Sequence, residues 1–134
     1  MMQVTFFPIL GAGIAAVLIG VVWYHPKVFG GVWMRLSNVT PEMAERGKKR
    51  MPLTAFVGLL AAMLVAWVMD YVGIQFGIYD IAGAVVLGLW CWLGFVAPLM
   101  LGMVLWEQKP FKLYLINVLY WLVAFVAIAV TLLF

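Results

Sequence analysis

Four long stretches without a charged side chain constrain this sequence more than any other feature. Asp, Glu, Lys and Arg are absent from residues 1–26, 51–69, 81–106 and 113–134. A helix needs roughly 20 mostly apolar residues to cross a bilayer. Within lipid, such a segment is helical because a helix satisfies its backbone N–H and C=O groups with internal hydrogen bonds. Hydrophobic residues make up 68% of the chain and charged residues 10%, which is far from the composition of a soluble domain. The sequence therefore predicts an integral membrane protein with four transmembrane helices.

These stretches predict one all-α domain over residues 1–134, a four-helix bundle in the membrane. A β-barrel is disfavoured because the runs are continuously apolar, whereas barrel strands alternate. A signal peptide is disfavoured because no basic residue precedes the first run and the run is too long. The expected helices cover residues of about 4–24, 53–72, 80–106 and 111–134, and the one long loop covers residues 25–52.

Three residues mark boundaries or irregularities of these helices. Asp80 fits the N-cap of the third helix. Gly73 suits the position just past the end of the second helix. Pro98 lies inside the third helix, where a proline removes one helical hydrogen bond, and it predicts a bend there.

The long loop contains two short helical patterns. The first is amphipathic and is expected to lie in the membrane interface, with Arg35 extending toward water. Its apolar residues are Phe29, Val32, Trp33 and Leu36. The second pattern begins at Thr40, a good N-cap residue, and is expected to run to about Arg46, where Gly47 ends it.

Basic residues in the loops predict the orientation of the chain. All eight lie in the long loop or beside the junction of the third and fourth helices: Lys27, Arg35, Arg46, Lys48, Lys49, Arg50, Lys109 and Lys112. Loops rich in Lys and Arg remain in the cytoplasm. We therefore expect a multi-pass protein of a bacterial plasma (inner) membrane, with residues 25–52 and 106–111 in the cytoplasm and both termini outside.

A basic cluster directly precedes the second helix. It consists of Arg46, Lys48, Lys49 and Arg50. The cluster is either a topology signal or a contact for anionic lipid head groups, which basic residues near a membrane surface attract. Membrane lipid is the first partner that the sequence suggests, and anionic lipid is the kind that the basic cluster would attract.

Small residues recur every four positions in two of the helices. This spacing forms a seam that lets two helices approach closely. The seams are Ala12, Ala16 and Gly20 in the first helix, and Gly58, Ala62 and Ala66 in the second. They predict helix packing and self-association of the chain, with a dimer favoured.

Polar residues inside or beside a membrane are candidates for function. At the cytoplasmic end, His25, Glu107, Asn117 and Tyr120 are expected to lie near one another. They form either a polar staple that fixes the helices or a site for a small ligand or ion open to the cytoplasm. His25 and Glu107 could pair if the helices pack as a compact bundle.

Asp70 is the unusual polar residue of the outer end. Its charge opposes the dipole at the C-terminal end of a helix, and no Lys or Arg lies on that side. It either reaches the outer water, is protonated, pairs with the Met1 amino group, or meets a cation. Trp90 and Trp92, deep in the third helix, are expected to pack between helices.

Several classes of function find no support in the residues. The single cysteine, Cys91, excludes an intrachain disulfide and a cysteine-based metal site. No nucleophile–base pair, metal cluster or phosphate loop indicates an enzyme. We therefore expect no cofactor and no metal. Nucleic acid is disfavoured as a partner because the basic residues lie at the membrane edge.

Two segments resemble a known family. The first is Trp23-Tyr24-His25-Pro26 continuing through Phe29-Gly30 to Trp33, with the pattern WY-x-P-x-x-F-G-x-x-W. The second runs from Trp106 to Pro110 and is followed by Leu115 to Tyr120. Both are similar to the DUF1761 family of small bacterial membrane proteins. The resemblance implies a four-helix membrane protein and implies no activity.

Two functions remain after these exclusions. The first is a self-associating structural or accessory protein, or one that interacts with lipid. It is favoured by the small-residue seams and the basic cluster. The alternative is an oligomeric small transporter or channel for a small solute or ion, whose cycle would rest on Asp70, Glu107 or His25.

Overall fold

A computed structural model describes residues 4–134 of the chain, and within that range the secondary structure is helical. Four helices are long and apolar enough to cross a membrane, as the sequence predicted. In chain order the helices are α1 (Phe6–Trp23), α2 (Gly31–Leu36), α3 (Pro41–Lys49), α4 (Met51–Gln75), α5 (Ile81–Leu105) and α6 (Phe111–Thr131). The four spanning helices are α1, α4, α5 and α6. A π-helical turn, Pro26–Gly30, precedes α2.

Two of the helices begin with a side-chain N-cap at the residue that the sequence predicted. The Thr40 hydroxyl accepts a hydrogen bond from the backbone N–H of Met43 (3.2 Å) at the start of α3. Asp80 Oδ1 accepts one from the backbone N–H of Gly83 (2.9 Å) at the start of α5. Each cap satisfies one of the unpaired N–H groups of a first helical turn.

The end of α4 differs from the prediction. Gly73 lies inside the helix and is buried, so its assignment to the helix end was wrong. The helix ends at Gln75, and Gly77 has the positive φ of +64° that glycine tolerates. The N–H of Ile78 bonds to the Gly73 carbonyl (3.0 Å), and the N–H of Gly77 bonds to the Ile74 carbonyl (3.1 Å). These two bonds form a Schellman motif, in which the glycine past the end, rather than Gly73, supplies the left-handed residue.

The junction of α3 and α4 also differs from the prediction. Helix α3 continues through Gly47 to Lys49, so the expected end at Gly47 was wrong. A glycine weakens a helix interior but does not by itself stop it. The interruption lies at Arg50, with φ −93° and ψ 0°. It precedes Pro52, which has no N–H to donate to a carbonyl one turn earlier.

Helix α5 is interrupted near its proline. A π-helical turn at Trp92–Val96 precedes Pro98, and a second interruption lies at Leu101. The Ala97 carbonyl accepts both from the N–H of Leu101 (3.2 Å) and from the hydroxyl of Tyr114 on α6 (2.8 Å). A neighbouring helix therefore helps to satisfy the irregular backbone, as it must where water is absent.

The spanning helices pack in the order α4, α1, α6, α5. Helix α1 packs against both α4 and α6, and α5 packs against α6. Helices α4 and α5 do not form a comparable interface. Between them lies an apolar cleft of about 280 Å³, lined by Val68 and Met69 of α4, Cys91 and Phe95 of α5, and Phe125 of α6 among others. The arrangement is thus more open than a bundle in which every helix has two packed neighbours.

Small side chains form the contacts between the helices. Ala12 and Ala16 of α1 and Ala62 and Ala66 of α4 are all at most 3% exposed. Gly58 does not join this seam: it is exposed, and a Cβ added there would meet no atom within 4 Å. Each four-residue step turns about 40° around an α-helix. Gly58 has therefore rotated away from the face that carries Ala66.

Candidate functional site

The long loop between α1 and α4 and the short connection between α5 and α6 place most charged residues at one end of the molecule, which we call the basic end. There, the hydroxyl of Tyr24 donates a 2.7 Å hydrogen bond to Asn117 Oδ1. The buried hydroxyl of Tyr120 donates a 2.8 Å bond to the Ala16 carbonyl. Gly20 makes room for that ring, because an added Cβ would lie 3.2 Å from the Tyr120 hydroxyl. Both bonds join α1, or the residue following it, to α6.

The aromatic rings around this pair form a continuous group. The ring of Tyr24 lies 5.5 Å from that of Tyr120 and 5.8 Å from that of Trp33 on α2, measured between centroids. Burial raises the pKa of the Tyr24 phenol above its ordinary value, and Tyr120 contributes to the increase. The Tyr24 hydroxyl therefore stays protonated at neutral pH and acts as a donor.

Two indole groups donate to backbone carbonyls of α6. Trp23 Nε1 bonds to the carbonyl of Ile116 (3.0 Å), and Trp92 Nε1 bonds to that of Val118 (2.8 Å). Trp92 is partly buried against the core, whereas Trp90 is 68% exposed. The expectation of packing between helices therefore fits Trp92 and was wrong for Trp90.

The predicted polar group at this end is only partly assembled. Asn117 and Tyr120 share the cluster around Tyr24, but His25 and Glu107 are both exposed. His25 Nδ1 accepts a hydrogen bond from the backbone N–H of Lys27 (3.1 Å) and so begins the π-helical turn. Within residues 4–134 no ion pair joins His25 to Glu107, so that expectation was wrong.

Sequence reasoning missed the hydrogen-bond partners of Trp23 and Tyr24. Each bonds to a partner 93 positions away in the chain. The available signal was an adjacent Trp and Tyr at the end of an apolar helix, which also fits a simple interfacial anchor. The hydrogen bonds of this cluster join α1, or the residue that follows it, to α6.

The second candidate site is a groove where α3 meets α4. It has a volume of about 240 Å³ and is lined by Met43, Arg46, Gly47, Arg50 and Thr54. The two arginines and the threonine are spaced by four residues, so they follow one another along one side of the helical path. The backbone continues through them, with Arg50 N–H bonded to the Arg46 carbonyl (3.2 Å) and Thr54 N–H bonded to the Arg50 carbonyl (2.8 Å).

The residues of this groove suit an anion attached to an apolar group. A guanidinium presents paired N–H donors that match phosphate oxygens, and the Thr54 hydroxyl can donate as well. A Cβ at Gly47 would meet no atom within 4 Å, so this position is open. Lys48 and Lys49, the other members of the predicted basic cluster, do not line the groove. Thr54, which does, was missed because an isolated threonine at a helix start carries no distinctive pattern.

The third candidate is Asp70, in the last third of α4. Its side chain is 1% exposed, so the expectation that it reaches outer water was wrong. Its helix presents Ala62, Ala66, Met69 and Gly73 to the core on the same face, and this face turns the carboxyl group inward. Neither carboxylate oxygen has a hydrogen-bond partner among the described residues. The possible pairing with Met1 falls outside them.

No part of the described chain forms a metal cluster. Within residues 4–134 no three His, Cys, Asp or Glu side chains lie close enough together to hold a metal ion. Cys91 is free and half-buried beside the cleft between α4 and α5.

Comparison with known proteins gives one match. No curated protein and no solved structure matches the chain. The sequence model of a family described as "Protein of unknown function (DUF1761)" matches residues 7–133, which include all but the first residue of the four helices long enough to span a membrane. The chain therefore belongs to the DUF1761 family of proteins of unknown function.

Proposed function

We propose that this protein interacts with lipid and binds the head group of an anionic phospholipid at its basic end. The observation that carries the proposal is the groove of Arg46, Arg50 and Thr54 at the start of α4. Helix α4, which is long and apolar enough to cross a membrane, begins beside the groove, and in the proposal it enters the membrane there, at the depth of the lipid phosphate groups. The side chains of the groove are donors, and an anionic lipid supplies acceptors.

Electrostatics support the same ligand. All eight Lys and Arg residues lie in the two connections of the basic end or beside them. Each basic residue near an anionic membrane surface contributes about 1 kcal/mol of attraction. Two guanidinium groups on one phosphate add charge-assisted hydrogen bonds, which are roughly twice as strong as neutral ones. By the positive-inside rule this end lies in the cytoplasm, and the cytoplasmic leaflet carries the anionic lipids.

The loop preceding the groove is consistent with this role. In the proposal, α2 and the start of α3 lie along the inner interface. Helix α2 is held there through Trp33, whose ring packs on Tyr24. Met43, which is 44% exposed, borders the groove and supplies an apolar contact beside the arginines.

A pair of double variants tests the proposal. Arg46→Gln/Arg50→Gln and Lys48→Gln/Lys49→Gln each remove two positive charges from the same short segment, but only the first pair lines the groove. Purified, delipidated protein is titrated with phosphatidylglycerol or phosphatidylcholine in mild detergent, and bound lipid is counted by native mass spectrometry. We expect the arginine pair to weaken phosphatidylglycerol binding roughly 30-fold, because losing the charge-assisted hydrogen bonds of two guanidinium groups to one phosphate costs about 2 kcal/mol. The lysine pair lies outside the groove and makes no such bonds, so its loss should weaken binding less than about 5-fold, or about 1 kcal/mol.

Two results would count against lipid recognition by the groove. Equal losses in the two double variants would mean that net charge alone attracts the lipid. Equal binding of phosphatidylcholine and phosphatidylglycerol by the wild type would mean that the head-group charge is not recognised.

Self-association and transport stay predictions. A dimer would rest on the exposed faces of the spanning helices. A small transporter or channel would need copies to join, because α4 and α5 are separated by a cleft that is open at its side. The lipid proposal requires neither.

A further inference from the structure

We propose that Asp70 is a proton-binding site within the helix bundle, whose carboxyl group is neutral in the folded protein. The site is independent of the lipid groove, which lies at the other end of α4. The proposal rests on three observations: the burial of the side chain, the absence of a polar partner among residues 4–134, and the kinds of residue on the helices packed against it.

The position of Asp70 follows from the contact between α1 and α4. These helices run in opposite directions, and a Cβ added to Gly13 of α1 would lie 3.4 Å from the Met63 backbone nitrogen of α4. Asp70 lies seven residues beyond Met63, and Phe6 lies seven residues before Gly13. Both steps correspond to about 10 Å along a helix. The carboxyl group therefore lies level with the first turn of α1, inside the interface.

No described group on the neighbouring helices can neutralise a carboxylate at this level. Helix α1 has no charged or titratable side chain. Helix α6 has Lys112, Tyr114 and Tyr120, all in the half nearer the basic end. Lys112 lies 19 residues before Thr131, or about 28 Å along the helix. On α4 itself, Tyr71 is exposed and points away from the core.

A proton is the ligand that this environment favours. An ionised carboxylate without a partner is strongly disfavoured in an apolar interior, and such groups take up a proton instead. A metal cation would need several oxygen ligands, and within residues 4–134 no three His, Cys, Asp or Glu side chains lie close enough together to hold one. The residues sharing its face are Ala62, Ala66, Met69 and Gly73, which offer no polar side-chain atom.

The composition of the chain allows a test that reports on Asp70 alone. The chain contains two aspartates, Asp70 and Asp80. Asp80→Asn removes the other one and should fold normally, because asparagine caps a helix as well as aspartate does. Infrared spectra of this variant in lipid at pH 7, with and without ¹³C-labelled aspartate, isolate the carboxyl vibrations of Asp70.

The two forms of the carboxyl group give distinct bands. We expect an isotope-sensitive C=O stretching band of a protonated carboxylic acid, and its loss in Asp70→Asn. An isotope-sensitive carboxylate band in place of the acid band would overturn the proposal, and would be the result if the Met1 amino group paired with Asp70. Because Asp80→Asn leaves Asp70 intact, this spectrum decides the question even if Asp70→Asn fails to fold.

Discussion

At the scale of single residues, indole and phenol donors hold apolar helices together. Trp23 and Trp92 donate to carbonyls of α6, and Tyr120 donates to a carbonyl of α1. In lipid, hydrogen bonds between helices add to packing, since no hydrophobic force draws one apolar helix to another. The sequence identified Asn117 and Tyr120 as members of the polar group at the basic end because they are polar within an apolar run. It could not identify the indole bonds, since the acceptors are backbone atoms distant in sequence.

The two neighbouring tryptophans of α5 give the first prediction. Trp92→Phe removes the donor to the Val118 carbonyl, and we expect it to lower the free energy of unfolding by about 1 kcal/mol. Trp90→Phe is the matched control, because the 68% exposed Trp90 faces away from the core. It should change that free energy by less than about 0.5 kcal/mol. Equilibrium unfolding in detergent micelles measures both, and equal effects would contradict the assignment.

At the scale of the helices, the lengths of the stretches without charged residues predicted all four spans. The residue types Thr40 and Asp80 predicted two N-caps. The bilayer thickness sets the length of an apolar run, and capping depends on residues three positions apart. Glycine was less informative. Gly47 and Gly73 were expected to end helices but lie inside them. Gly58 was expected at a contact between helices, but a Cβ added there would meet no atom within 4 Å. A glycine can end a helix, allow another helix to approach closely, or do neither. Which of these occurs depends on a packing partner that is distant in sequence.

The close contact of α5 with α6 gives the second prediction. An added Cβ at Gly88 would lie 3.0 Å from both the Phe125 carbonyl oxygen and the Val126 Cα. These are backbone atoms, so the two helices must separate by a few tenths of an ångström, and we expect Gly88→Ala to destabilise the protein by about 1–3 kcal/mol. Thermal unfolding in detergent measures the change.

Gly58→Ala is the control for this substitution. Its added methyl group meets no atom within 4 Å, so the change should be neutral, or stabilising by up to about 1 kcal/mol through helix propensity. A Gly88→Ala protein as stable as Gly58→Ala would show that the two helices are not in close contact.

At the scale of the whole molecule, the order of the helices was beyond the sequence. The small-residue seams indicated which faces pack, but not that α1 and α6 would be central and α4 and α5 outermost. Apolar side chains suit lipid and protein neighbours equally well, so hydrophobicity does not distinguish them. Most of the basic residues were easier to place, because the loops that carry them follow from the spans.

Orientation gives a prediction at this scale. In a Cys91→Ser background, Tyr79→Cys and Glu45→Cys place one thiol at each end, both at exposed positions. The positive-inside rule predicts that an impermeant thiol reagent reaches position 79 from outside the inner membrane. Position 45 should react only after that membrane is broken. The reverse pattern would place the basic end outside, away from the anionic cytoplasmic leaflet.

The most direct test of a lipid-binding basic end is the mass of the protein extracted with its own lipid. Wild-type protein released from membranes in mild detergent should carry anionic phospholipid at one site for each chain. The Arg46→Gln/Arg50→Gln protein should lose this lipid, and Lys48→Gln/Lys49→Gln should retain it. The same spectrum reports whether the chain is a monomer or the predicted dimer. Wild-type protein without anionic lipid, or equal retention by both double variants, would contradict head-group binding at the groove of Arg46, Arg50 and Thr54.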